Sequence, residues 1–214
     1  MRSHMGFVLG AILVSAWLAV VTVACASNMI AETPPAPTET LPRLPDLSLA
    51  TAISIQDDWN GLSRGAPIIA HIRLERVDDQ FIGTAYYSVG GNRSNPVLSA
   101  TETVTVPLSA VNDFMGTLAS AQLETGPYII PPTHTDDYPR VSLQIELGEE
   151  RLTFYSDSQN ADHAPWLLTV NTSKQGNSKF VIHSGVPAQA LNGLNAYLKR
   201  DVQQKLIEQV QSPK

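Results

Sequence analysis

From Ala52 to the C-terminus the apolar residues change period in an order that admits few folds. Pro67 to Val77 carries Ile68, Ile69, His71, Ile72 and Leu74, and Gln80 to Val89 carries Phe81, Ile82, Ala85, Tyr86 and Tyr87. Asp78-Asp79 between them is a tight turn, so the pair reads as a hairpin. Gly90-Gly91-Asn92 ends the second run, and Thr101 to Val106 then alternates threonine with valine as a half-exposed strand does. Pro107 stops that strand, Ser109 is placed to cap a helix, and Val111, Phe114, Met115, Leu118 and Ala121 recur at three- and four-residue steps on one face. Val141 to Leu147 and Arg151 to Tyr155 form another hairpin around Gly148-Glu149-Glu150. Trp166 to Asn171 and Lys179 to His183 form a third around Lys174 to Asn177. The spacing predicts one last helix opening at Pro187, with Leu191, Leu194, Leu198, Val202 and Leu206 on one stripe interrupted only by Gly193.

Three strands, a helix, four strands and a helix show no regular βαβ alternation, which excludes a doubly wound parallel sheet. The expectation is an α+β domain: a mainly antiparallel sheet with two amphipathic helices packed on one face. No internal repeat of fixed period is present, although each half ends in a helix after a meander, as an old duplication or simple economy of packing would produce.

Upstream, Arg2 precedes the uncharged run Phe7 to Ala24, and the chain's one cysteine follows at Cys25. An apolar stretch after a short positive start is an export signal, and the small residues before Cys25 suit a signal peptidase. The segment Thr22-Val23-Ala24-Cys25 resembles the lipobox of bacterial lipoprotein precursors, in which the cysteine is lipidated and becomes the mature N-terminus. The resemblance implies a signal peptide over residues 1–24, lipidation of Cys25, and a location in the cell envelope, outside the cytoplasm and anchored to a membrane. Two plainer readings also export the domain: an uncleaved membrane-spanning helix, for which the run is long enough, and an ordinary signal with Cys25 near its cleavage site.

With Cys25 at the anchor, the remainder of the chain contains no cysteine, so no disulfide, cysteine-based zinc site or thiol nucleophile can form there. Stability must come from a core, and a single domain over residues 51–214 is long enough to build one. Between anchor and domain, residues 25–50 hold Pro34, Pro35, Pro37, Pro42 and Pro45. Prolines so dense favour extended polyproline II at about 3.1 Å per residue, which makes this stretch a tether rather than a ligand for a Pro-recognising module. The net charge of −6, with lysines and arginines scattered, argues against nucleic acid as a partner.

The sharpest chemical pattern is Gly61-Leu62-Ser63-Arg64-Gly65, which fits the G-x-S-x-G nucleophile elbow, with Asp136 or Asp137 and then His163 or His183 in the right chain order. An elbow needs a helix directly after the serine; here Pro67 and a β-branched strand follow, so a surface turn is the better reading. The cluster His134, Asp136, Asp137 and Tyr138 sits in a Pro-flanked loop, and Asp162-His163 sits in another. Imidazole with carboxylates suits zinc or manganese, but adjacent carboxylates diverge on an extended chain and no metal-binding spacing supports them, so turn and cap duties are assigned and no metal or cofactor is expected.

The loop from Ser156 and Asp157 to His163 and Trp166 is dense in hydroxyl, amide and aromatic groups, the composition of many recognition sites for sugars or peptides. Trp59 and Trp166 are also the kind of large aromatics that fill cores, and His71 and His183 read as packed or sheet-surface histidines. The candidate binding residues are therefore Trp59, His134, Asp136, Asp137, Tyr138, Ser156, Asp157, His163 and Trp166. No supported catalytic set emerges. The expectation is an exported, membrane-tethered lipoprotein with a binding or accessory role toward an exported protein or a small ligand. A protease inhibitor is the alternative, because the meander-helix-meander-helix plan is similar to that of emfourin-type metalloprotease inhibitors; a serine hydrolase using Ser63 comes last.

Overall fold

The computed structural model of the protein describes residues 42–59, 67–90, 97–129, 139–173 and 176–211. All of them belong to one compact unit, Thr40–Lys214. Eight antiparallel strands form one sheet: β1 (Ala52–Trp59), β2 (Ile68–Val77), β3 (Gln80–Val89), β4 (Leu98–Pro107), β5 (Pro139–Leu147), β6 (Glu150–Ser156), β7 (Trp166–Thr172) and β8 (Gly176–Ile182). Their spatial order is β4-β3-β2-β1-β5-β6-β7-β8, so two four-stranded meanders join through their first strands at the centre and run outward in opposite directions. Helix α1 (Leu108–Ala119) follows the first meander, and α2 (Val186–Leu194) and α3 (Arg200–Gln211) follow the second. The fold is α+β and mostly sheet.

Register explains the core. Ile53 of β1 stands opposite Leu74 and Ile145, and Ile55 opposite Ile72 and Leu143. Leu152 and Phe154 extend the same rows on β6, as Ala85 does on β3. Because strand side chains alternate faces with period two, these residues share one face of the sheet, and all are buried. The other face carries Ser54, Gln56, His71, Arg73, Thr84 and Arg151, all exposed except the half-buried Ser54. Val111, Phe114, Met115 and Leu118 of α1, and Ala188, Ala190 and Leu194 of α2, belong to the same apolar cluster as the buried sheet residues. The two helices pack on each other, and α3 packs on β3 and β4. Among the described residues no helix is long and apolar enough to cross a membrane.

The structure corrects the sequence reading at three places. An eighth strand, β1, occupies the centre of the sheet where no strand was expected. The single C-terminal helix is two helices, separated by a turn over residues 195–199 in which Lys199 has φ 56°. Of the expected stripe, Leu194, Leu198 and Leu206 are buried, and Leu191 and Val202 are half-buried. Finally, α1 starts at Leu108 with Pro107 in the cap position and no side-chain capping bond, so Ser109 lies inside the first turn rather than ahead of it.

Two turns and one glycine fix the sheet locally. Val77 pairs with Gln80 around Asp78-Asp79, where Asp78 takes φ 55°, as the tight two-residue hairpin demands. Gly148, at φ 66°, serves the same purpose between β5 and β6. Gly83 lies opposite Leu74 and Val104 in the middle of β3. A Cβ there would come within 1.7 Å of the Arg73 carbonyl oxygen, so only glycine lets the two strands approach as they do. At the entry to the domain, a 3-10 turn at Leu47–Leu49 is capped by Asp46, and Leu47 and Ala50 are buried in the core.

Candidate functional site at the loop end of the sheet

One row across the sheet breaks the apolar rule. It runs Ser156, Val141, Asp57, Ala70 and Tyr87, each opposite the next on neighbouring strands. Asp57 follows Ile53 and Ile55 on the buried face, where period two calls for an apolar residue and the chain supplies a carboxylate. Such local inconsistencies concentrate at functional sites. Arg200, at the first position of α3, answers it: its Nη1 lies 3.6 Å from Asp57 Oδ2 and donates to Gln203 Oε1 at 3.1 Å. The guanidinium also lies over the Tyr87 ring, 6.0 Å from its centroid, in cation–π range. Tyr87 donates its hydroxyl to the Leu198 carbonyl, which ties β3 to the turn ahead of α3. Burial pushes the Tyr87 phenol above its ordinary pKa, against the opposing pull of Arg200, so it stays a neutral donor.

The other end of the row is held by the loop between β6 and β7. Buried Ser156 donates to the His163 carbonyl, and buried Ser158 donates to the Ala164 carbonyl at 2.6 Å. Asn160 Nδ2 reaches the same carbonyl at 2.8 Å. The Ala164 amide donates to Asp162 Oδ1 at 3.1 Å, and the Trp166 indole donates to the Asp162 carbonyl at 3.1 Å. These bonds tie the loop down through the carbonyls of Asp162, His163 and Ala164. His163 is held with φ 55°, in the left-handed region, and its ring meets Trp166 edge-on at 5.9 Å. Its Nδ1 is buried with no hydrogen-bond partner among the described residues. An orphan of this kind costs about 1–3 kcal/mol and calls for an explanation.

Between these two ends is a cavity of about 270 Å³, lined by Ile55, Asp57 and Val141 of the sheet, by Ala161 and His163 of the loop, and by residues of the helices. The helical contribution is Ala188, Leu191, Asn192 and Asn195 around α2, and Arg200 and Gln203 of α3. A second cavity of about 410 Å³ shares Asp57 and Gln203 with it and is lined also by Trp59, Ile68, Pro139 and Ile207. The first cavity brings the polar side chains of Asp57, His163, Asn192, Asn195, Arg200 and Gln203 together over a smaller aliphatic lining.

The sequence-derived candidates distribute as follows. His163 lines the first cavity and half-buried Trp59 the second, while Ser156 braces the His163 loop from beneath. Trp166 is fully buried in the core. Asp157 accepts from Tyr128 at 3.0 Å and from Tyr155 at 3.4 Å; desolvation, reinforced by Asp157, pushes the Tyr128 phenol up to about 12. Cys25, Ser63, His134, Asp136, Asp137 and Tyr138 lie outside the described residues. The strands that flank these loops nevertheless end together, since Trp59 pairs with both Ile68 and Pro139, and Ser156 with Val141. Asp57, Arg200, Gln203, Asn192 and Asn195 escaped the sequence reading. For Asp57 there was a signal, an acid on a period-two stripe; for the others there was none. His71 and His183 are exposed, facing Asp58 at 3.2 Å and Glu124 at 3.7 Å. Among the described residues no three His, Cys, Asp or Glu side chains gather as a metal site would require. No protein-family model, curated protein or solved structure matches the chain.

Proposed function

We propose that the protein is an exported lipoprotein, tethered through lipidated Cys25 and the Pro-rich stretch that follows, whose domain is a binding module for a small ligand. The observation that carries the binding reading is the Asp57–Arg200 pair on the apolar face, in a cavity that His163 also lines. The export reading rests on the uncharged run and on Thr22-Val23-Ala24-Cys25.

The layout suits a tether. The chain enters the domain at the Ala52 end of β1, next to buried Leu47, whereas Asp57 lies five residues further along the strand. At about 3.3 Å per residue that is roughly 17 Å, so the start of β1 and Asp57 lie toward opposite ends of the strand. The helices read as amphipathic covers lying together on the apolar face, a reading supported by the membership of their buried residues in the sheet's own cluster. Such a cover both closes the core and roofs the cavity.

The test has two arms on the full chain. Mass spectrometry of the mature N-terminus is expected to find lipid on Cys25, and Cys25→Ser to remain unlipidated. Thermal unfolding against amino acids, monosaccharides, nucleosides and dicarboxylates is expected to show stabilisation by at least one class, lost in the Asp57→Asn, Arg200→Gln double variant. An unmodified Cys25 overturns the anchor, and an unchanged melt with every class overturns the binding reading.

A further inference from the structure

Resting on the binding reading above, we propose that the cavity takes a free α-amino acid with an aliphatic side chain, held as a zwitterion between Arg200 and Asp57. The cavity presents one positive and one negative group, 3.6 Å apart, a separation close to that of the ammonium and carboxylate of an α-amino acid. Both contacts of Arg200, to Asp57 and to Gln203, are made by Nη1. A guanidinium has five N–H donors in a planar fork, so Nε and Nη2 are available for the bidentate geometry that carboxylates favour. With 26 % and 37 % of their side chains exposed, Arg200 and Asp57 are open to a ligand, and a pair this accessible contributes little to stability by itself.

The helix ends repeat the same polarity. Leu191, Asn192 and Asn195 bring the C-terminal end of α2 to the cavity, and Arg200 and Gln203 bring the N-terminal end of α3. Helix C-termini carry partial negative charge and N-termini partial positive charge. The ligand ammonium therefore belongs beside Asp57 and the end of α2, and its carboxylate beside Arg200 and the start of α3. His163 contributes a further polar side chain to the lining.

Size and wall chemistry choose among ligands. A volume of about 270 Å³ lies at the small end for ligand sites. The apolar walls are Ile55, Val141, Ala161, Ala188 and Leu191, without tryptophan, tyrosine or phenylalanine. A sugar is favoured by an aromatic platform, and Trp59 lines the neighbouring cavity instead. An aliphatic side chain on the ligand matches these walls.

Calorimetry on the full-length protein with leucine, isoleucine and valine, beside N-acetyl-leucine, leucinamide and glucose, tests the assignment. The free amino acids are expected to bind, and the acetylated and amidated forms to bind at least about tenfold more weakly, since each loses one charge. Asp57→Asn is expected to weaken free leucine by a similar factor without changing the weak binding of N-acetyl-leucine, whose ammonium is already gone. Equal binding of blocked and free forms overturns the zwitterion. Binding of glucose but of no amino acid overturns the ligand class and leaves the binding module standing, whereas absence of binding by any class in the thermal-unfolding panel removes both.

Discussion

A Cβ on Gly185 would lie 2.6 Å from the Cβ of Asp162 and 2.9 Å from its Oδ2, so the residue ahead of α2 and the loop that carries His163 touch without room for a methyl group. The contact matters for more than packing. Asp162 holds the Ala164 amide and receives the Trp166 indole through its carbonyl, and His163 is its next residue. Gly185→Ala must push the loop away from the helix. It is expected to cost about 1–3 kcal/mol and to weaken ligand binding, measured by thermal unfolding and calorimetry on the same variant. Unaltered binding would detach the loop from the site.

Two other glycines give opposite expectations. Gly83→Ala drives a methyl into the backbone of β2 at Arg73 and Leu74, where no flexible side chain can yield, and is expected to cost about 3 kcal/mol or to prevent folding. Gly193 lies in α2 with nothing within 4 Å of an added Cβ, so Gly193→Ala is expected to stabilise by about 0.5–1 kcal/mol through helix propensity. Urea unfolding of the two variants against wild type checks both signs.

Leu194 and Leu198 are 0 % and 1 % exposed. Truncating either to alanine removes buried carbons and leaves a cavity, for an expected loss of about 2–5 kcal/mol each. An unchanged melting temperature in both variants would mean that the leucine stripe is not core.

Tyr128 provides a pH test. Its phenol is pushed up to about 12 from an ordinary 10, by desolvation first and then by Asp157. Below pH 10 the phenol is protonated in both folded and unfolded chains, and its contribution is fully present. Between pH 10 and 12 the unfolded chain releases the proton and the folded chain keeps it, so stability falls as pH rises. Because the site is only half-buried, solvent screening holds the effect to about 1 kcal/mol. Comparing wild type with Tyr128→Phe across this range isolates it: the difference between them is expected to shrink with pH, and a constant difference contradicts the assignment.

The strands built on uninterrupted apolar runs were legible in the sequence, because β2, β3, β5 and β6 face the core with every second residue and are punctuated by Asp78-Asp79 and Gly148. Strand β1 was not, since Asp57 and Asp58 interrupt the alternation that Ile53 and Ile55 begin. The feature that hid the strand is the one that marks the site. The division of the C-terminal segment into α2 and α3 was hidden for a different reason: Leu194, Leu198 and Leu206 reach the core in the broken arrangement as they would have in a continuous helix. The loop from Ser156 to Trp166 was singled out by its composition, which its dense internal bonding explains. Arg200 could not be found that way, because only the tertiary fold brings a residue of the last helix over the central strand.

The most direct measurement is the side-chain nitrogen spectrum of His71, His163 and His183, recorded with and without saturating leucine. His163 lines the cavity, whereas His71 and His183 are exposed and already face carboxylates. The account predicts that leucine shifts the His163 Nδ1 resonance and leaves those of His71 and His183 in place. Binding of leucine that shifts His71 or His183 and not His163 would place the ligand elsewhere and contradict the account.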